Sequence, residues 1–67
     1  MKPEDLKQHA QAVLAAGGRG MTLTLPPGWK RPPGFPRGEL LSVNAKGERN
    51  VRVLAHRMLE WLAGVAA

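Results

Sequence analysis

Six basic side chains between positions 30 and 52 are the residues whose type and spacing suggest a chemical role. They are Lys30, Arg31, Arg37, Lys46, Arg49 and Arg52. The same stretch holds only Glu39 and Glu48 as acidic residues, so it contributes +4 of the formal net charge of +5. Lysine and arginine neutralise phosphates and release condensed counterions. The stretch predicts a surface for the phosphate backbone of a nucleic acid. The competing interpretation is a solvated basic surface that keeps a small protein in solution.

Two aromatic side chains alternate with the first of these cations in LPPGWKRPPGFPR, residues 25–37. Basic groups interleaved with exposed rings are typical of grooves for single-stranded nucleic acid. Alternatively, Trp29 and Phe35 anchor a structured loop in a small core, and the prolines reduce the entropy lost when that loop is ordered. Trp29 and Phe35 cannot both be buried anchors and exposed stacking platforms. We expect Trp29 to be an anchor.

Two peptide-recognition interpretations of the same loop are weaker. Lys30, Pro33 and Pro36 satisfy a basic-x-x-Pro-x-x-Pro pattern that docks on SH3 domains, but Gly34 loosens the required polyproline II conformation. The opening Leu25-Pro26-Pro27-Gly28-Trp29 resembles the start of a WW domain. The aromatic residues that a WW domain needs later in its sequence are missing. The sequence therefore argues against the WW domain, and Gly34 argues against the SH3 ligand.

Side chains for catalysis are scarce. The chain has one serine, Ser42, one aspartate, Asp5, two histidines, His9 and His56, and no cysteine. Neither histidine is spaced to complete a triad with Ser42 or a metal site. We therefore expect no enzymatic activity, no metal and no cofactor.

Two helices are predicted at the ends of the chain. Residues 3–16 begin with Pro3 and two acids, which suit a first helical turn, and stop at Gly17-Gly18. Residues 54–65 form the second helix. Apolar residues recur at helical spacing in both, namely Leu6, Ala10, Val13 and Leu14 in the first and Leu54, Met58, Trp61, Leu62 and Val65 in the second.

Three strands are predicted between the helices. Residues 21–25 (MTLTL) alternate as a strand, 26–38 form a proline-rich loop, and 39–53 form a β-hairpin that turns at Gly47. Side-chain alternation predicts an inward face and an outward face for the hairpin. The inward set is Leu41, Val43, Val51 and Val53, and the outward set is Leu40, Ser42, Asn44, Asn50 and Arg52.

These elements predict a single α+β domain over residues 1–67. Its order is helix, strand, proline-rich loop, hairpin, helix, with both helices on one face of a small antiparallel sheet. The expected core is Leu6, Val13, Leu14, Leu23, Trp29, Leu41, Val43, Val51, Val53, Met58, Trp61 and Leu62.

The chain contains neither an apolar run of the roughly 18–20 residues that a membrane span needs nor the pattern of a signal peptide. We expect a cytoplasmic protein without membrane contact. Met21 could serve as an alternative start of translation, which would make the first helix optional.

From Leu25 to Leu62 the arrangement LPPGWKRPPGFPRGELL…NVRV…MLEWL resembles short proteins of unknown function encoded in phage and prophage genomes. The resemblance implies a bacterial intracellular setting and a role in phage development or in handling a host component. It carries over no functional residue. It leaves open a second function class, a protein adaptor that binds a phage or host protein or forms a homodimer. Leu40, expected on the outer face, favours that class because it adds exposed apolar area.

Overall fold

The α+β class and the predicted order of elements are confirmed by a computed structural model, which describes residues 2–66. Two helices pack on one face of a three-stranded antiparallel sheet. Each element lies within one or two residues of its predicted bounds. The elements are α1 (Pro3–Ala15), β1 (Gly20–Leu25), β2 (Glu39–Val43), β3 (Arg49–Leu54) and α2 (Ala55–Ala66). Within the described residues, neither helix is long and apolar enough to cross a membrane.

Helix α1 buries a narrower stripe than the sequence predicts. Leu6 and Ala10 are buried and Val13 packs against the core, but Leu14 is exposed. At 100° per residue, Leu14 lies about 80° around the helix from Leu6, at the margin of the face that meets α2 and β1. The helix ends where Gly17 takes a φ of 83° and its N–H donates to the carbonyl of Leu14 at 3.0 Å.

Strand β3 occupies the middle of the sheet, in the order β1-β3-β2, and both pairings are antiparallel. The face beneath the helices carries the buried side chains of β1 and β3. Met21 pairs with Val53 and Leu23 pairs with Val51, so these side chains share that face. Met21, Leu25 and Ala55 belong to this core without having been predicted in it. Ala10, expected on the apolar stripe of α1, and Phe35, considered as a loop anchor, are buried there too.

Strand β2 contradicts the predicted inward set. All its residues are exposed, with Leu40 at 56%, Leu41 at 48% and Val43 at 56%. A bulge between Leu40 and Ser42 displaces Leu41 from the register, so Leu40 lies opposite Val51 on the helix side of the sheet. The predictions that Leu41 and Val43 are buried and that Leu40 faces outward were therefore wrong. The bulge reverses the side of Leu40, and Val43 is exposed because the helices cover β1 and β3 and leave this edge strand open.

The proline-rich loop is part of the core. Phe35 is buried between two tryptophans, at ring-centroid distances of 5.1 Å to Trp29 and 4.9 Å to Trp61 in edge-to-face arrangements. The indole N–H of Trp61 donates to the carbonyl of Pro33 at 3.0 Å. These contacts hold the loop against α2 and the sheet.

Helix α2 begins one residue later than predicted, and two side chains that were expected on its buried face are exposed. Leu54 is the last residue of β3 and is exposed. It shares the parity of Asn50 and Arg52, so it faces away from the helices. Val65, also expected to be buried, lies exposed in a groove beside Pro3 in the first turn of α1. Met58 and Leu62 are buried as predicted.

Candidate functional site

Four arginines from separate segments lie around two neighbouring cavities at one end of the sheet. Because the strands are antiparallel, β1 and β2 begin where β3 ends and α2 begins. Arg19 precedes β1, Arg37 precedes β2, Arg52 lies on β3 and Arg57 lies in the first turn of α2. We call these four residues the arginine cluster.

The two cavities at the arginine cluster share Arg37 and Leu54. The first, which we call the Arg19 cavity, measures about 490 Å³ and is lined also by Arg19, Arg52 and Glu39. The second, the Trp61 cavity, measures about 510 Å³, and its lining includes Pro36, Arg57, Glu60 and Trp61. Arg37 therefore stands at the boundary between a strongly basic cavity and a more apolar one.

Two carboxylates moderate the charge of the cluster. Glu39 pairs with Arg52 at 2.9 Å and Glu60 pairs with Arg57 at 3.6 Å, and all four side chains are more than half exposed. Exposed pairs of this kind contribute only about 0–1 kcal/mol, so a phosphate can compete for either arginine. In the part of the chain that the structure describes, Arg19 and Arg37 form no salt bridge. The cluster thus retains an excess of two positive charges.

The backbone adds to this positive end. Helix α2 has no acidic residue in its first turn, so the positive end of its dipole is not neutralised there. The N–H of Ala55 donates to the carbonyl of Arg19 at 2.8 Å, which fixes the segment before β1 against the start of α2. Arg19 is thereby held beside the other arginines although it precedes a different strand.

Gly20 allows Arg52 to lie where it does. A Cβ atom on Gly20 would stand 2.8 Å from the Cδ of Arg52, closer than any real contact. The stem of Arg52 therefore packs directly against the backbone of β1 at Gly20. This path keeps its guanidinium on the outer face, within reach of Glu39.

The structure divides the six predicted basic residues. Arg37 and Arg52 meet at the cluster. Arg31 and Arg49 line a separate cavity of about 250 Å³ beside Trp29, where the Arg49 guanidinium donates to the Trp29 carbonyl at 3.1 Å. That bond gives Arg49 a role in holding the loop.

The two lysines of the predicted set are exposed, and both lie in connecting segments. Lys30 belongs to the proline-rich loop and Lys46 to the turn of the hairpin. Sequence reasoning missed Arg19 and Arg57, which fall outside the basic middle of the chain. The pairing of Gly20 with Leu54 brings both to the same end of the sheet, and no local pattern predicts that pairing.

A polar sheet face adjoins the cluster on the side away from the helices. Thr24 donates from its hydroxyl to the side-chain oxygen of Asn50 at 2.8 Å, and the Asn50 amide donates to the Ser42 hydroxyl at 2.9 Å. These short polar side chains leave the face open. An extended ligand bound at the arginine cluster could continue across it.

Among residues 2–66, no group of three or more His, Cys, Asp or Glu side chains is arranged to hold a metal ion. No family model, curated protein or solved structure matches the chain. Among the chain's own side chains, the arginine cluster is the feature with a defined binding chemistry. Guanidinium groups bind phosphate through paired hydrogen bonds.

Proposed function

We propose that the protein is a non-catalytic module that binds nucleic acid through the phosphate backbone. The observation that carries this proposal is the convergence of Arg19, Arg37, Arg52 and Arg57 from four segments onto two adjoining cavities. Arginine is the side chain best suited to phosphate, because its planar fork donates two parallel hydrogen bonds. Phosphate contacts of this kind fix the position of a nucleic acid without reading its sequence.

The number of contacts sets the expected salt dependence. Four arginines with two competing carboxylates can neutralise about three phosphates. At −0.7 to −0.9 per phosphate, the slope of log affinity against log salt is expected to be about −2 to −3. Binding should be measured by fluorescence anisotropy of a labelled oligonucleotide, starting at about 50 mM salt, where exposed charges are weakly screened.

Two arginine variants separate the cluster from the rest of the basic surface. Arg37→Ala removes the side chain shared by both cavities, so affinity and slope should both fall, the slope by nearly one. Arg31→Ala removes the same charge from the other side of the loop and should change the slope little. Absence of binding to single- or double-stranded nucleic acid at 50 mM salt would reject the proposal.

The biological setting is part of the proposal. The resemblance of residues 25–62 to phage and prophage proteins favours a bacterial cytoplasm, where the polyanion would be phage or host nucleic acid. Retention of nucleic acid on the protein in host lysate, abolished by nuclease treatment, would support this setting. If a host or phage protein is retained and its retention is unaffected by nuclease treatment, the second function described below is favoured.

A second function, protein binding, is favoured by the edge of β2. Leu40, Leu41 and Val43 are exposed on β2, an edge strand of the described sheet. The bulge at Leu41 is its one irregularity, and the strand contains neither lysine nor proline against further pairing. The partner most consistent with this edge is a second copy of the chain. Antiparallel pairing of two β2 strands would place their arginine clusters at opposite ends and so limit charge repulsion.

The oligomeric state tests this second function. Sedimentation at about 100 µM should reveal a dimer, since pairing along a strand of only five residues buries little area and small interfaces are in the low-affinity class. Leu41→Lys should abolish the dimer, whereas Leu14→Lys, which places the same charge on an exposed position of α1, should not. If the protein stays monomeric at 100 µM, the hypothesis of self-association through β2 is rejected.

A further inference from the structure

We infer that the protein prefers single-stranded nucleic acid, with one unpaired base in the Trp61 cavity and its phosphate on the Arg19 cavity. This inference rests on the proposed function and names its ligand class. It begins from the different linings of the two cavities. Three arginines line the Arg19 cavity, whereas Pro36 and Trp61 add apolar surface to the Trp61 cavity beside the Leu54 that both cavities share.

The charges of the two cavities indicate which one binds the phosphate of a nucleotide and which one binds its base. In the Arg19 cavity, Glu39 is already engaged by Arg52 at 2.9 Å, which leaves Arg19 and Arg37 for an anion. The Trp61 cavity has one arginine fewer: Arg37 and Arg57 stand there with Glu60, so its net charge is lower. Its volume of about 510 Å³ lies within the usual range of 300–1,000 Å³ for small-molecule sites. A neutral aromatic base fits there better than a phosphate does.

The ring of Trp61 is fixed before any ligand arrives. Its N–H is bonded to the carbonyl of Pro33, and its ring contacts Phe35 edge to face at 4.9 Å. A Cβ on Gly34 would lie only 3.3 Å from the ring, which shows how closely the loop backbone covers one edge. A ring held in this way loses little conformational entropy when a base stacks on it. The half-buried Trp61 is thus a better platform than a mobile surface residue.

The requirement for an unpaired base excludes a duplex as the preferred ligand. In a duplex, the faces of the bases are stacked on one another and only their edges are accessible in the grooves. A single strand can turn a base out to stack on an aromatic side chain. Arg37 lies at the boundary that the two cavities share. It is therefore positioned to contact the phosphate of the same nucleotide whose base enters the Trp61 cavity.

Three probes of equal length test the inference: a 12-nucleotide oligo-thymidine, the same backbone with abasic sites, and a 12-base-pair duplex. One stacked base should make the oligo-thymidine bind about fivefold or more tighter than the abasic strand, with equal phosphate charge. Trp61→Phe should reduce that ratio. Trp29→Phe is the matched control, because it makes the same exchange at the other tryptophan and should leave the ratio unchanged.

Fluorescence of the Trp29→Phe protein provides a second readout that does not require altering the site. Trp61 is then the sole tryptophan, and oligo-thymidine should quench it while the abasic strand should not. Equal affinity for the thymidine and abasic strands, an unquenched Trp61, or tighter binding to the duplex would each overturn the inference and leave the proposed function standing. Failure of all three probes to bind would remove the proposed function itself.

Discussion

Phe35→Ala is expected to remove a large part of the protein's stability, because Phe35 joins the proline-rich loop to the rest of the core. The side chain is 6% exposed and lies between the rings of Trp29 and Trp61. Truncating a buried phenylalanine costs about 3–5 kcal/mol. At about 0.05–0.15 kcal/mol per residue, a chain of this length has a total stability of roughly 3–10 kcal/mol. The variant therefore loses at least about a third of its stability.

Urea or thermal unfolding followed by circular dichroism measures this loss. A loss of 3 kcal/mol corresponds to a fall in Tm of at least about 12 °C for a domain of this size. Leu40→Ala is the control, since truncation of a side chain that is 56% exposed should cost below about 1 kcal/mol. If Phe35→Ala costs less than about 1 kcal/mol, the loop is not part of the core. The position of Arg37, two residues later in the same loop, would then have no structural support.

Two further predictions concern a close backbone approach and the charge of the site. Gly38→Ala places a Cβ 2.8 Å from a methyl group of Val53 and 3.2 Å from a β3 carbonyl, so it should cost about 1–3 kcal/mol in urea unfolding. Gly64→Ala, with no atom within 4 Å, should be neutral or slightly stabilising; equal effects would contradict the packing of Gly38. Glu39→Gln frees Arg52 from its carboxylate, so nucleic-acid affinity should rise and the salt slope should steepen. Glu4→Gln, beside the far end of α2, should change neither, and a weaker-binding Glu39→Gln protein would refute the proposed competition.

The helices and strands could be predicted because their side-chain periods are local properties of the sequence. Met21, Leu23 and Leu25 alternate with threonines, and the structure buries all three. The exposure of the side chains of β2 could not be predicted in the same way. The bulge at Leu41 shifts the alternation by one residue, and the helices do not extend over this edge. Both effects depend on the assembled sheet.

The candidate site was only partly predictable for a related reason. Charge counting finds Arg37 and Arg52, since both lie in the basic middle of the chain. Arg19 joins them only because β1 pairs with β3 and not with β2, a long-range choice that no turn or spacing in the sequence specifies. Arg49 shows the opposite case, because this basic residue of the middle stretch lies away from the arginine cluster and donates to the Trp29 carbonyl. Topology thus decides which cations share a surface.

The most direct test of the arginine cluster compares the salt dependence of oligonucleotide binding for the unaltered protein, Arg37→Ala and Arg31→Ala. With a slope of −2 to −3, the affinity of the unaltered protein should fall about 15- to 60-fold between 50 and 200 mM salt. Arg37→Ala should bind more weakly, with a slope smaller by about 0.7–0.9, while Arg31→Ala should keep the slope of the unaltered protein. Equal losses of slope in the two variants would show a diffuse basic surface and contradict a site at the arginine cluster.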